Sequence, residues 1–393
     1  MLKDQIRKLA EEYAPEFIDI RHHLHAHPEL SFQEYETAAF ISGKLSEFGI
    51  EHKKISETGV VGLVQGKNAG DRVIALRADM DALPILEQNV VSYKSVNEGV
   101  MHACGHDVHS TCLLGAAKIL QALKDSWSGT VKLIFQPGEE RNPGGASILI
   151  KEGVLENPAP HAILALHVHT ALDAGKFSFR PGMAMASADE IFITIKGKGG
   201  HAAAPHLTQD TILTASQLVV NLQQVISRHN DPLNPSVLSI TSIQGGNTTN
   251  VIPGEVKLIG TFRAMNEEWR FRAHHLVQNI CDTTASMSGT DIELHIDVGY
   301  PLLMNNEALT HIAKGKAEEY AGGSNVTETE MRMGAEDFAF YSHQIPACFF
   351  RLGVMNEAKK ITAGVHTPYF NIDETAIMHG MGMMAWLGAE TSL

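Results

Sequence analysis

The sequence predicts an α/β protein: a mostly parallel sheet covered by helices and interrupted by an inserted ferredoxin-like α+β unit. Three features lead there. In the first half of the chain, short β-branched runs alternate with helical periodicities. Those runs end in polar loops that carry Asp, Glu or His. Around Gly182 the pattern changes, and the elements that follow read β-α-β-β-α-β.

Taken in order, Ser31-Phe32-Gln33-Glu34 has the form of a capping box, and Tyr35, Ala38, Ala39, Ile41, Leu45 and Phe48 then follow with helical spacing up to a glycine stop at Gly49. Residues 72–76, RVIAL, predict a buried strand running into RADMDALP. Ser110 to Leu123 has helical spacing. TVKLIF at Thr130 to Phe135 is a second strand ending in QPGEE, and AILAL at Ala162 to Leu166 a third ending in HVHT. Strands separated by helices imply parallel pairing, and such sheets bind ligands beyond the carboxyl ends of their strands, where RADMD, PGEE and HVH fall. Later, Ile191 to Lys196 alternates as a strand, and Ile212, Ala215, Leu218, Val219, Leu222, Val225 and Ile226 lie on one helical face. Strands at Val237 to Ile243 and Val256 to Arg263, a helix from Glu267 to Ser286 and a strand from Ile292 to Val298 complete the unit. The expected division is a first segment 1–183, an insertion 184–296 and a returning segment 297–393.

Length and composition narrow the function classes. A chain of 393 residues has room for about two or three domains. At 44% hydrophobic and 19% charged it is an ordinary globular chain, not a disordered one. The start, MLKDQIRKLAEEYAPEF, lacks the apolar segment of a secretory signal, and no run reaches transmembrane length, so the expected location is the cytoplasm. Four cysteines at irregular spacing, Cys104, Cys112, Cys281 and Cys348, predict reduced thiols and no disulfide framework. A net charge of −14 without a Lys/Arg stripe excludes nucleic acid and anionic membranes as expected partners.

The chemistry concentrates at Met101 to Thr111, MHACGHDVHST. Cys104 offers a soft thiolate and His106 a neutral nitrogen, a pairing that suits zinc or a late first-row metal better than magnesium or calcium. Two ligands do not close a site, but further ligand types follow the apolar runs elsewhere. Each residue also has an ordinary reading: Cys104 as a buried inert thiol, Asp107 as a helix N-terminal acid, Glu139-Glu140 as a solvated acidic pair, His167 as a packed histidine, His366 as a loop residue. His22, His23, His25, His27, His102, His109 and His169 keep that ordinary reading, although the first four sit in a motif, RHHLHAHPELSFQE, whose role the residues do not reveal.

That motif, with ALRADMDALP, MHACGHDVHST, FQPGEE, GKGGHAAAPH, GGNTTNVIP, GTFR, GAEDFAFY and VHTPYF, resembles the aminoacylase/carboxypeptidase family of metal-dependent amidohydrolases. Within it the chain is similar to the branch of hippurate hydrolases, indole-acetyl-amino-acid hydrolases and N-acetyl-diaminopimelate deacetylases. The resemblance implies a metallohydrolase catalytic domain with an inserted lid and dimerisation domain, and hydrolysis of N-acyl amino acids. It implies two divalent metal ions, zinc first, with manganese, nickel or cobalt as alternatives, held by Cys104, His106, Glu140, His167 and His366. Glu139 corresponds to the general base. His201, in GKGGHAAAPH, matches a histidine that reaches a neighbouring subunit's site and stabilises the oxyanion, which implies a homodimer. Asn250 and Arg263 match residues that hold a substrate carboxylate, and a guanidinium fork suits that group. The wider family has His-x-Asp where this chain has Asp79-Met80-Asp81, and an acidic bridging ligand where it has Cys104. Asp79 and Asp81 are therefore expected to orient ligating imidazoles. The alternatives kept open are a dipeptidase or exopeptidase on the same scaffold, a metal-free Cys104 thiol hydrolase, and a non-catalytic metal-binding protein.

Overall fold

Two runs define the centre of the main sheet. Every residue of Val73–Asp79 and of Thr130–Gln136 is buried, as expected of strands covered on both faces. The computed structural model describes residues 1–70 and 72–392 and divides the chain into two compact units. The first comprises Met1–Ala184, Met304–Glu330 and Asp337–Leu393; the second comprises Met185–Leu303 and Met331–Glu336.

The first unit holds an eight-stranded sheet in the order Glu51–Ile55, Gly59–Gln65, Thr130–Gln136, Val73–Asp79, Ala162–Asp173, Ala347–Met355, Phe177–Phe179, Val326–Glu328. Its four central strands, 130–136 to 347–355, pair in parallel. The 51–55 and 59–65 strands form an antiparallel margin, and 177–179 runs antiparallel to 347–355. Helices Leu2–Ala26, His106–Ala122 and Thr375–Glu390 contribute to one hydrophobic core with these strands, through Phe17, Leu113, Leu120, Met381 and Leu387 among others.

Three local expectations are corrected. Tyr35 does open the helix Tyr35–Glu47, but Ser31 and Glu34 make no cap bond; both side chains bond elsewhere in the fold. The cluster helix begins at His106, not Ser110, because Gly105 takes a left-handed φ of 86° and serves as its cap. His167 and His169 lie within the strand Ala162–Asp173, not beyond its end, because that strand keeps pairing with Ala347–Met355 past His167↔Arg351 to Asp173↔Met355.

The second unit carries a four-stranded antiparallel sheet in the order Ser236–Gln244, Glu255–Ala264, Ser187–Lys196, Asp291–Val298. With strands counted along the chain this is 2-3-1-4, the ferredoxin-like order. Alternation along Ser187–Lys196 puts Ile191, Ile193 and Ile195 in a core with Leu218, Leu222, Leu258, Phe262 and Val277. The two helices, Thr211–His229 and Glu267–Ser288, are capped by Asp210 and Asn266, whose side chains accept from Leu213 and Trp269 backbone N–H groups. The compact unit extends to Leu303, past residue 296, because the last strand runs to Val298 in register with Asp189.

Candidate metal centre

Gly105 is the first fixed point of the site. Its backbone is left-handed, and a Cβ there would stand 2.7 Å from Val168 Cγ2, so no larger residue fits. Cys104 and His106 flank it. His106 Nδ1 faces two acceptors, Asp81 O at 2.9 Å and Asp81 Oδ1 at 3.1 Å, so Nδ1 carries the proton and Nε2 the lone pair. That Nε2 is buried without a hydrogen-bond partner. Around it stand Asp79 Oδ2 at 3.7 Å, Glu139 Oε2 at 4.0 Å and Glu140 Oε1 at 4.0 Å.

A second set of close approaches adjoins the first. Cys104 Sγ lies 3.6 Å from His167 Nε2 and 3.2 Å from His366 Nε2, which is itself 3.2 Å from Glu140 Oε1. His167 Nδ1 donates to Val168 O at 2.8 Å, again leaving Nε2 as the lone-pair nitrogen. His366 takes a φ of 60°, uncommon for a residue with a side chain, and its N–H is tied to Ala103 O at 2.8 Å. Donors about 2.0–2.3 Å from one ion at tetrahedral angles stand about 3.3–3.7 Å apart, and these separations fall near that range. Cys104, His106 and His167 form one such group, and Cys104, Glu140 and His366 another.

Electrostatics point the same way. Burial pushes the Cys104 thiol up, and the nearby Glu140 carboxylate adds to the effect. His366 is pushed up to about 10 by its contacts with Cys104 and Glu140. Despite burial, Asp79 and Asp81 hold His106 well above the usual imidazole range. Burial, with His109 and Arg351 nearby, keeps His167 neutral. At Cys104, His106 and His366 the pocket thus favours positive charge, which a divalent ion would supply by displacing protons from these three donors, while His167 is already a neutral donor. The residues fit a metal.

A family model supplies the deciding comparison: peptidase family M20/M25/M40 matches residues 75–387. The chain belongs to that family. Among its M20 relatives, the N-acyl-L-amino acid amidohydrolase of Geobacillus stearothermophilus is 41% identical over 84% of this chain and 89% of that protein. An IAA-amino acid hydrolase ILR1-like protein of Arabidopsis thaliana is 38% identical over 96% of this chain and 87% of that one. A solved Bacillus subtilis structure, described as a dinuclear metal binding peptidase from the M20 family, superposes with a TM-score of 0.82 at 34% identity, covering 97% of this chain and 100% of that one.

Within this M20 chain, Asp81 accepts a hydrogen bond from His106 Nδ1, whereas Asp79 stands 3.7 Å from His106 Nε2 and forms its hydrogen bonds elsewhere. Asp79 accepts from Arg77 and His109, each at 2.6 Å, and His109 Nε2 accepts from Val168 N–H at 2.9 Å. His109 therefore has no lone pair left for a metal, and it braces the 162–173 strand against the cluster helix. Burial opposes the Asp79 charge, yet His106, His109 and Arg77 hold its carboxyl well below the usual range. Arg77 also donates to Gln136 Oε1 at 3.0 Å and to Asp337, in GAEDFAFY, at 2.7 Å. Asp337 also accepts from Gln136 and from Ala146 N–H, and its own N–H donates to Glu139 Oε1 at 3.3 Å. Sequence reasoning did not single out Arg77 or Asp337 as site residues.

The other residues expected from the sequence to serve the site, His201, Asn250 and Arg263, belong to the second unit. His201 pairs with Val251 in the short ladder Gly200–His201/Val251–Ile252, and Ala202 N–H donates to Asn250 O at 3.0 Å, so His201 and Asn250 lie near each other. His201 is exposed; Nδ1 accepts from Ala203 N–H at 3.0 Å. Exposed Asn250 accepts from Thr248 Oγ1 at 2.9 Å. Arg263 is half-buried on the strand Glu255–Ala264, and its guanidinium makes no hydrogen bond or ion pair among the described residues.

Proposed function

We propose that this chain hydrolyses the amide bond of N-acyl amino acids, with two divalent metal ions held by Cys104, His106, Glu140, His167 and His366 and with Glu139 as general base. One observation carries the reading: possible ligand atoms from four separate segments, those of Cys104 and His106, Glu140, His167 and His366, gather in overlapping groups around the buried, unbonded His106 Nε2, and Glu139 stands beside them. The names of the M20 relatives support the substrate class. Bound there, divalent ions would lower the pKa of water and polarise the scissile carbonyl.

The chain's own groups supply the rest. Asp337 N–H holds Glu139 Oε1, and Oε2 faces His106 Nε2 across 4.0 Å. Glu139 Oε2 takes the proton of the attacking water and returns it to the leaving amine nitrogen. Glu140, whose Oε1 faces His366, stays with the donor cluster. His201 would donate to the oxyanion, and Asn250 with Arg263 would hold the substrate carboxylate. A homodimer, zinc as the native metal and a cytoplasmic location complete the proposal. In support of a non-membrane location, no described helix is long and apolar enough to cross a bilayer.

A single experiment separates the readings. Chelated protein is assayed on N-acetyl, N-benzoyl, indole-acetyl and dipeptide substrates before and after zinc, manganese, cobalt or nickel is restored. The expected result is loss on chelation and recovery with metal on acyl amino acids. Activity that survives chelation and disappears on thiol alkylation would instead favour Cys104 as a nucleophile.

A further inference from the structure

The motif RHHLHAHPELSFQE has no assigned role in this chemistry, and its last four residues bond to both sides of the general base. Glu34 is fully buried. Its Oε1 accepts from the backbone N–H of Phe32 at 2.9 Å and of Gly138 at 2.8 Å, and Oε2 contacts Thr58 Oγ1 at 2.8 Å. Gly138 immediately precedes Glu139. On the other side, Glu140 N–H donates to Asp81 Oδ2 at 2.9 Å, and Ser31 Oγ donates to the same oxygen at 2.6 Å. The two peptide N–H groups that flank Glu139 are thus tied, one directly and one through Asp81, to a single turn.

That turn is shaped for its place. Phe32 adopts a φ of 66°, in the left-handed region that side chains disfavour, and Gly138 has a φ of 61°. A Cβ on Gly138 would lie 2.2 Å from Phe32 Cε1, so the ring occupies the space that glycine leaves. Strain of this kind persists only where surrounding bonds fix it. Burial, reinforced by the Asp81 charge, pushes the Glu34 carboxyl up to about 7. Thr58 Oγ1 donates to the ionised group; a carboxyl protonated on Oε2 would keep Oε1 free for both backbone donors and turn the Thr58 contact round, with the hydroxyl accepting.

We propose that the Ser31–Glu34 turn sets the position of the catalytic loop, with Glu34 as the positioning residue for Glu139. The inference rests on Glu139 being the general base. It predicts that Glu34 affects the chemical step and not metal loading, since its partners are Phe32, Gly138 and Thr58. A misplacement of the base by an ångström can cost on the order of 100-fold in rate.

The test is a kinetic cycle on the metal-loaded enzyme. Glu34→Ala, and Glu34→Asp as the less disruptive variant, should lower kcat by about 10- to 100-fold with KM within about threefold and metal content unchanged. Glu34→Gln places a carbonyl at Oε1 and an amide donor toward Thr58, and should recover most of that loss. In a Glu139→Gln background the Glu34→Asp change should alter the residual rate by less than about twofold, because the group it positions is already gone. Wild-type kcat in Glu34→Asp at lowered Tm, or a full additional loss in the Glu139→Gln background, would overturn the inference and leave Glu34 a stabilising residue. Wild-type activity in Glu139→Gln alone would instead overturn the proposed general base.

Discussion

Each unit buries a carboxylate between an arginine and a histidine, and the two networks end differently. In the second unit, Asp189 accepts from Arg270 Nε at 2.9 Å and from Arg270 Nη2, from His274 Nε2 at 2.7 Å and from Gly299 N–H at 3.1 Å. That network closes on itself. In the first unit, Asp79 and Asp81 are equally well supplied, but the chain of bonds runs out at His106 Nε2, which is buried and unbonded. Buried charge is common to both. A buried lone pair left unbonded within a cluster of possible ligand atoms separates a candidate centre from a structural brace, since an unsatisfied buried polar atom is costly unless something else binds it.

The largest expected effect is on the open network. Glu139→Gln should lower kcat by about 10²- to 10⁴-fold while metal content stays at the wild-type level. Metal analysis beside the assay checks this, and a variant that loses metal and rate together would make Glu139 a ligand. The closed network should respond in stability instead. Asp189→Ala leaves Arg270 buried without its main partner, and breaking such a pair costs about 3–5 kcal/mol. Denaturant unfolding should show that loss, with metal content per folded chain unchanged; metal loss on Asp189→Ala would end the contrast drawn between the units.

His201 gives the second unit an open group of its own. Removal of an oxyanion donor costs about 3–4 kcal/mol of transition-state stabilisation. His201→Ala should show it in kcat with stability intact, because the side chain is exposed and bonds only within its own loop. If His201 serves the site of a second copy, co-expression of His201→Ala with Glu139→Gln chains should restore part of the activity. No restoration, with each chain folded and mixed dimers present, would place both groups on one copy.

The same contrast explains what could be read from the chain. Cys104 and His106 were legible because thiol and imidazole two residues apart are metal-ligand chemistry, and the ferredoxin-like order was legible because alternation and helical periodicity are local. The strand containing His167 runs further than its apolar stretch suggests, because polar residues within a strand resemble its end. Arg77 and Asp337 escaped because their bond spans 260 positions and neither residue type marks a site alone. Ser31 and Glu34 have the spacing of a helix cap, and only the fold reveals that Asp81, Thr58 and Gly138 are their partners. Local signals identify which atoms are available; which ones remain unpaired is a property of the tertiary structure.

Glu34 offers the smallest effect and a direct measure of how far its turn belongs with the open network. Its carboxyl, pushed by burial and by Asp81 from 4.5 up to about 7, binds a proton more tightly in the folded chain than in the unfolded one. The folded state therefore gains most from this group below about pH 4.5, and the gain is lost as pH rises through about 7. Other groups titrate in the same window, so the informative quantity is the difference between wild type and Glu34→Gln, which mimics the protonated form at every pH. That difference should shift in favour of the variant by up to about 3 kcal/mol between pH 4.5 and 8, an upper limit set by the size of the shift. A pH-independent difference would mean that Glu34 keeps its charge when buried, held by the N–H groups of Phe32 and Gly138, and that the catalytic loop is anchored by an ionised carboxylate.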